Sequence, residues 1–170
     1  MPNTPDRFHW ALDIIEVKPD DSILEIGCGV GILAELISEK LSTGSISAID
    51  RSAPFISKAI KRNEKYIDEG KAQFIQSEFL KSAFTSHSFD KIVAFNVNFF
   101  WKDAEKELAM IKKYLKPNGK LYVFYQLPYG INIDNPKPMI QTLEKNGFKI
   151  LDVKLSSEDP ANVFCIIARC

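Results

Sequence analysis

The sequence predicts an α/β protein organised on a doubly wound, mostly parallel sheet, and three observations carry that expectation. Apolar runs of strand length alternate with segments whose apolar residues recur at every third or fourth position, the pattern of strands and helices taking turns. The first run opens into a corner with glycine at 27, 29 and 31 and then into a helical stretch. The last two runs are joined by a short polar turn, which makes them an antiparallel pair and reverses the final strand. Seven strands in all are expected.

Composition bounds the remaining choices. With 170 residues, 45% apolar and 26% charged, the chain has the size of one domain, 1–170, with 1–19 supplying a helix packed on the core. Lys and Arg number 22 against 22 Asp and Glu. No overall field draws in a polyanion, so neither nucleic acid nor an anionic membrane surface is favoured as a partner. Cys28, Cys165 and Cys170 are an odd number without ligand spacing, which argues against a disulfide framework or a metal site and for reduced thiols. The N-terminus has no apolar signal core and no run is long enough to span a bilayer, so the cytoplasm is the expected location.

Residues 5–17 carry Phe8, Leu12 and Ile15 beside Trp10, Ile14 and Val17, a broad amphipathic helix with Thr4 as N-cap, Pro5 at its first position and Pro19 ending it. The first strand, 22–26, is an apolar run interrupted by Glu25. In the corner that follows, glycine permits positive φ and close approach, while the free N–H groups of the next helix, to about residue 41, favour an electron-rich ligand. A cofactor is expected there. The dinucleotide fingerprint G-x-G-x-x-G wants Gly or Ala at 32, where this chain has Ile32, and it gives Glu25 no role. The second strand, 46–49, runs into Asp50, 19 positions past Gly31 and close to the interval at which an acid reaches ribose hydroxyls in nucleotide-binding βαβ units. A carboxylate there accepts two hydrogen bonds from a vicinal diol; the alternative is a cap for the next helix.

From Glu25 to Gly31 the pattern E-x-G-x-G-x-G resembles the first motif of the class I S-adenosylmethionine-dependent methyltransferases. The resemblance implies that Glu25 fixes the amino-acid end of the cofactor, that Gly27, Cys28, Gly29 and Gly31 make room for it, and that Asp50 with Arg51 meets the ribose. The third strand, 72–76, ends in Ser77, Glu78 and Phe79, where that family usually has an Asp for the adenine amino group. By the same resemblance Glu78, longer by a methylene, fills that role, Ser77 shares it, and Phe79 offers backbone and ring to the adenine. Before it, 52–68 reads as one helix with Lys58, Lys61, Arg62 and Lys65 on one side, a solvated face or a nucleic-acid surface.

The wording F-D-K-I-V-A, then L-K-P-N-G-K-L-Y-V-F, also resembles that family. It frames a fourth strand at 91–95, a helix at 102–115, a turn at 116–120 and a fifth strand at 121–125. Between them, Asn96 is a candidate to position cofactor or substrate and Asn98 a lesser one; simple turn formation is the alternative. Of Phe99, Phe100 and Trp101, at least one should face the cleft or a partner. His9, on the first helix, is a candidate base, with amphipathic packing as the plainer reading, and His87 sits in a polar loop. An Asn or Asp followed by Pro-Pro and an aromatic is missing at 96–99, which disfavours adenine or glutamine N-methylation, and no Asp, Asn and His cluster suggests a metal. A loop with Pro128, Tyr129 and Gly130 is placed to cover the cleft, followed by a helix at 139–146, a strand at 148–155, a polar turn at 156–160 and a last strand at 162–168.

The whole resembles the Rossmann-like methyltransferase fold, and the expected reaction is in-line transfer of a methyl group from S-adenosylmethionine to an acceptor. The sulfonium is already activated, so the protein has mainly to align donor and acceptor and exclude water, a task for Phe99, Phe100 and Trp101. A small-molecule acceptor is expected, with a tRNA, peptide or protein left open. The other readings are a catalytically silent module that keeps the cofactor pocket and, less well supported, an NAD-dependent oxidoreductase.

Overall fold

In the computed structural model, which describes residues 6–127, 136–156 and 162–170, helices and strands alternate as the apolar pattern predicts. The helices are α1 (Asp6–Ile15), α2 (Ile32–Lys40), α3 (Ala53–Arg62), α4 (Glu64–Asp68), α5 (Glu105–Tyr114) and α6 (Lys137–Lys145). The strands are β1 (Ser22–Ile26), β2 (Ser45–Asp50), β3 (Ala72–Gln76), β4 (Phe89–Phe95), β5 (Leu115–Gln126), β6 (Lys149–Ser156) and β7 (Val163–Arg169). They join in the order β3-β2-β1-β4-β5-β7-β6. The first five are parallel, and β7 runs antiparallel to both β5 and β6, the expected reversal.

The inner parallel strands are buried on both faces, and the two-residue period divides their side chains between two cores. Leu24, Ile26, Ile92, Ala94, Leu121 and Val123 pack with Leu108 and Ile111 of α5 and Leu143 of α6. Ile23, Ile46, Val93, Phe95, Tyr122 and Phe124 pack on the other side with Ala11 and Ile15 of α1 and Leu33 and Ile37 of α2. At the N-terminal ends of the strands, Lys91 is buried and donates to Asp21 Oδ2 and to the Glu16 carbonyl. Asp90 accepts from Ser22 N and Lys116 Nζ. These bonds tie the starts of β1 and β4 together. The C-terminal ends are left for chemistry.

Three segments differ from expectation. The stretch read as one helix over 52–68 breaks at Asn63, whose backbone leaves helical values (φ −105°, ψ 15°) while its side chain turns inward. Arg62 thereby leaves the cationic face: it is half-buried, paired with Glu35 at 3.0 Å. The expected turn over 116–120 is an irregularity within β5, which pairs at Leu115 with Phe89 and resumes at Lys120 opposite Lys91. The helix expected from 102 starts at Glu105, because 98–101 form a 3-10 turn first. The expectations for Thr4 and Pro5, for the loop at Pro128, Tyr129 and Gly130, and for most of the 156–160 turn lie outside the described residues. Among the described residues no helix is long and apolar enough to cross a membrane.

Candidate active site at the C-terminal ends of the parallel strands

The strand order reverses direction at β1, with β2 on one side and β4 on the other. Open α/β sheets bind ligands at such a switch point, beyond the carboxyl ends of the strands. The glycine corner lies there. Its first N–H groups, Gly27 N and Cys28 N, both donate to the Ile49 carbonyl at 2.8 and 3.0 Å, so the end of β2 holds the corner against β1.

Asp50 comes to the same corner. Its Oδ2 accepts from Gly29 N and its Oδ1 from Ser52 N, each at 2.9 Å. The carboxylate therefore stands beside the glycines and braces the turn before α3, whose N-cap is Ser52 and not Asp50. A Cβ built on Gly29 meets nothing within 4 Å, so the corner faces open space at that point. Gly31, by contrast, is filled from behind by protein. Its Cβ would lie 2.7 Å from Asn63 Nδ2 and 2.9 Å from Ala59 Cβ, at φ +75°. Asn63 Nδ2 donates to the Gly31 carbonyl and Arg62 Nε to the Val30 carbonyl, so α3 clamps the corner from outside. Sequence reasoning missed Asn63, whose one available signal was an asparagine inside an otherwise helical pattern, and left Arg62 on the cationic face. Gly31→Ala combines left-handed strain with a backbone-backed clash and is expected to destabilise the protein by about 3 kcal/mol. Urea unfolding measures it.

Glu25 shares this corner but is sealed from water, at 2% exposure. Burial pushes its carboxyl up to about 8, with the nearby Asp50 charge adding to the rise and the Ala34 N–H opposing it. One oxygen, Oε2, is buried without any hydrogen-bond partner. A buried acceptor left unpaired is costly unless something supplies a donor. An acid with a spare oxygen, a second acid and a bare peptide corner fit a cofactor with hydroxyl and ammonium donors. The Cys28 side chain turns the other way, into the α1–α2 core, where burial raises its thiol. Arg51 is exposed.

At the end of β3, Ser77 N donates to the Asp50 carbonyl at 3.0 Å, which brings this rim alongside the corner. Ser77 Oγ is turned to the Glu78 carbonyl, and Glu78 is exposed in an ion pair with Lys81 at 3.0 Å. The Phe79 ring corrects the expectation that it lies against an adenine: it is buried, stacked on Phe99 at 6.0 Å and edge-on to Tyr114. Apolar burial outcompetes a place for the ring at the rim.

Beyond β4, Asn96 adopts φ +57° and its Oδ1 accepts from Gln126 N at 2.8 Å. Asn98 Oδ1 accepts from Tyr125 Oη at 3.1 Å. Both amides thus pin the ends of β4 and β5 together. Phe100 is wholly buried, while Phe99 and Trp101 are half-buried and packed against the same core. Trp101 stands edge-on to Tyr125 and Phe164. On the opposite face of the sheet, α1 lies over the same strand ends, with Phe8 on Phe95 at 5.2 Å and Arg7 donating to Gln126 Oε1. His9 is exposed on that helix, and His87 is exposed in its loop. Among the described residues no group of three or more His, Cys, Asp or Glu is placed to hold a metal ion.

A Rossmann-like sheet with two acids and a glycine corner at its switch point defines an enzyme that uses an adenosine-bearing cofactor. More narrowly, the chain belongs to the methyltransferase-domain family, whose sequence model matches residues 24–123, more than half its length. It is an S-adenosylmethionine-dependent methyltransferase. Among similar proteins is YrhH of Bacillus subtilis, named as a methyltransferase without an acceptor, 28% identical over 160 residues that cover 94% of this chain and 84% of that one. The sterol 24-C-methyltransferase of Pneumocystis carinii is 30% identical across 79% of this chain, which spans 41% of its length. The fold is matched by a crystal structure of a SAM-dependent methyltransferase from Aquifex aeolicus, with a TM-score of 0.76, 19% identity, and coverage of 95% and 88% of the two chains.

Proposed function

We propose that this single domain, 1–170, holds S-adenosylmethionine with Glu25, the Gly27–Gly31 corner and Asp50, and passes its methyl group to a small, largely apolar molecule. One observation carries the cofactor placement: Glu25 Oε2 is buried without a partner beside a corner whose Gly29 faces open space and whose N–H is held by Asp50. In this reading Glu25 takes donors from the amino-acid end, Asp50 and Arg51 meet the ribose, and Ser77, Glu78 and the Phe79 backbone border the base. When bound, the cofactor supplies a sulfonium-activated methyl group. The chain's own residues have then to orient and to exclude water. Asn96 and Asn98 contribute by fixing the rim, since both side chains are engaged in it. Of the three catalytic candidates only His9 carries a basic side chain, and a base is needed only for an acceptor that arrives protonated.

The acceptor class is supported by the half-buried Phe99, Trp101 and Tyr125 at the rim and by the loss of Arg62 from the cationic face. A sterol, the acceptor in the name of one relative, is a molecule of that character. Buried free thiols at Cys28 and Cys165 suit the reducing cytoplasm. The test is to incubate the protein with methyl-labelled S-adenosylmethionine and a cell extract, then separate small molecules from RNA and protein. Label is expected in the small-molecule fraction; label confined to macromolecules overturns the acceptor class.

A further inference from the structure

The outermost strand of the sheet carries a pattern that the methyl-transfer site does not use. Strand β6 pairs with β7 on one side, and no described strand pairs with its other edge. An open edge with free backbone groups is a template for a further strand, which proteins either guard or exploit. Val153 shows which groups face outward: its N–H donates to the Asp152 side chain, Oδ1 at 2.8 Å, and is turned away from the β7 ladder. Asp152 also holds Lys154 of its own chain at 2.7 Å, with both side chains about half exposed. On either side stand Leu151 and Leu155, 39% and 59% exposed.

The order apolar, acid, apolar, base, apolar across 151–155 becomes its own complement when turned end for end about Val153. We propose that β6 is a dimerisation edge that pairs antiparallel with β6 of a second copy, about a two-fold axis at Val153. In that register Val153 exchanges backbone bonds with the partner's Val153, and Asp152 stands opposite the partner's Lys154, twice by symmetry. Opposite charges directly across an antiparallel pair are favourable and like charges are not. Leu155 meets the region of the partner's Leu151, where β6 bulges between Ile150 and Asp152. In the monomer Asp152 guards the edge by occupying Val153 N–H and Lys154. Dimerisation exchanges each of these bonds for an equivalent one across the axis. A second copy is the favoured occupant because it alone brings this complementary order in every encounter.

Sedimentation velocity from about 1 to 100 μM, a range set by the affinities of small interfaces, tests the pairing. Wild type is expected to dimerise with rising concentration. Asp152→Lys and Lys154→Asp, each placing like charges opposite one another, are expected to weaken the dimer at least about tenfold. The two variants mixed in equal amounts, and the double exchange in one chain, are expected to restore it. A wild type that stays monomeric, a dimer that both single variants leave intact, or a mixture that does not reassociate overturns the proposal. The double exchange also shows that the single variants fail in pairing and not in folding.

Discussion

Asp50→Ala is expected to lower the affinity for S-adenosylhomocysteine by about a hundredfold, the equivalent of two charge-assisted hydrogen bonds to a diol. The carboxylate is bound through one lone pair of each oxygen to Gly29 N and Ser52 N, which leaves the others for ligand hydroxyls. Those same bonds predict a lesser effect on the free protein, a loss of about 1–2 kcal/mol in stability, because both N–H groups lie near the surface and regain water. Calorimetric titration of the folded variant separates the two effects. Asp50→Asn keeps one acceptor oxygen but turns an amide N–H toward one of the two backbone donors, and is expected to fall between wild type and alanine. Equal affinity in wild type and Asp50→Ala would remove the ribose contact and leave Asp50 as a brace for the Gly29 and Ser52 N–H groups alone.

The backbone of this site was legible in the sequence because its constraints are local. A glycine corner follows a buried strand by necessity of φ, and Asp50 sits one crossover later, at a distance fixed by the length of a helix and a turn. Side-chain direction was less legible, since it is decided by neighbours far away in the chain. Phe79 reads as a rim aromatic until Phe99 and Tyr114 are in place to bury it. Asn96 and Asn98 read equally as ligands and as turn formers, and the competing donors, Gln126 N and Tyr125 Oη, lie 27 to 30 positions away. Asn63 was hidden for the same reason. Periodicity carries a helix through 52–68, whereas the break answers to the Val30 and Gly31 carbonyls of the opposing corner, which only packing brings within reach. Elements of one strand or helix were thus readable, and contacts between elements were not.

Glu25 makes the site's behaviour depend on pH in a direction that follows from its burial. Its ordinary value is 4.5 and the fold raises it to about 8, so between these limits the folded chain keeps a proton that the unfolded chain has lost. The folded state then binds more protons, and stability falls as pH rises through that window before levelling off above it. The slope from this group approaches about 1.4 kcal/mol per pH unit. Glu25→Gln, a neutral amide of the same shape, is expected to lack the slope and to gain on wild type steadily from pH 5 to pH 8 in urea unfolding. Cofactor donors at the unpaired Oε2 favour the ionised form, so binding has the opposite dependence: affinity for S-adenosylhomocysteine is expected to rise toward pH 8, with proton release near pH 7. Titration in two buffers of different ionisation enthalpy reads that release directly. The Asp50 charge adds to the rise at Glu25, and the Cys28 thiol, itself pushed up by burial, keeps its proton throughout this range. A wild-type affinity that is flat from pH 6 to pH 8, with no proton released, would mean that the cofactor's donors do not reach Glu25.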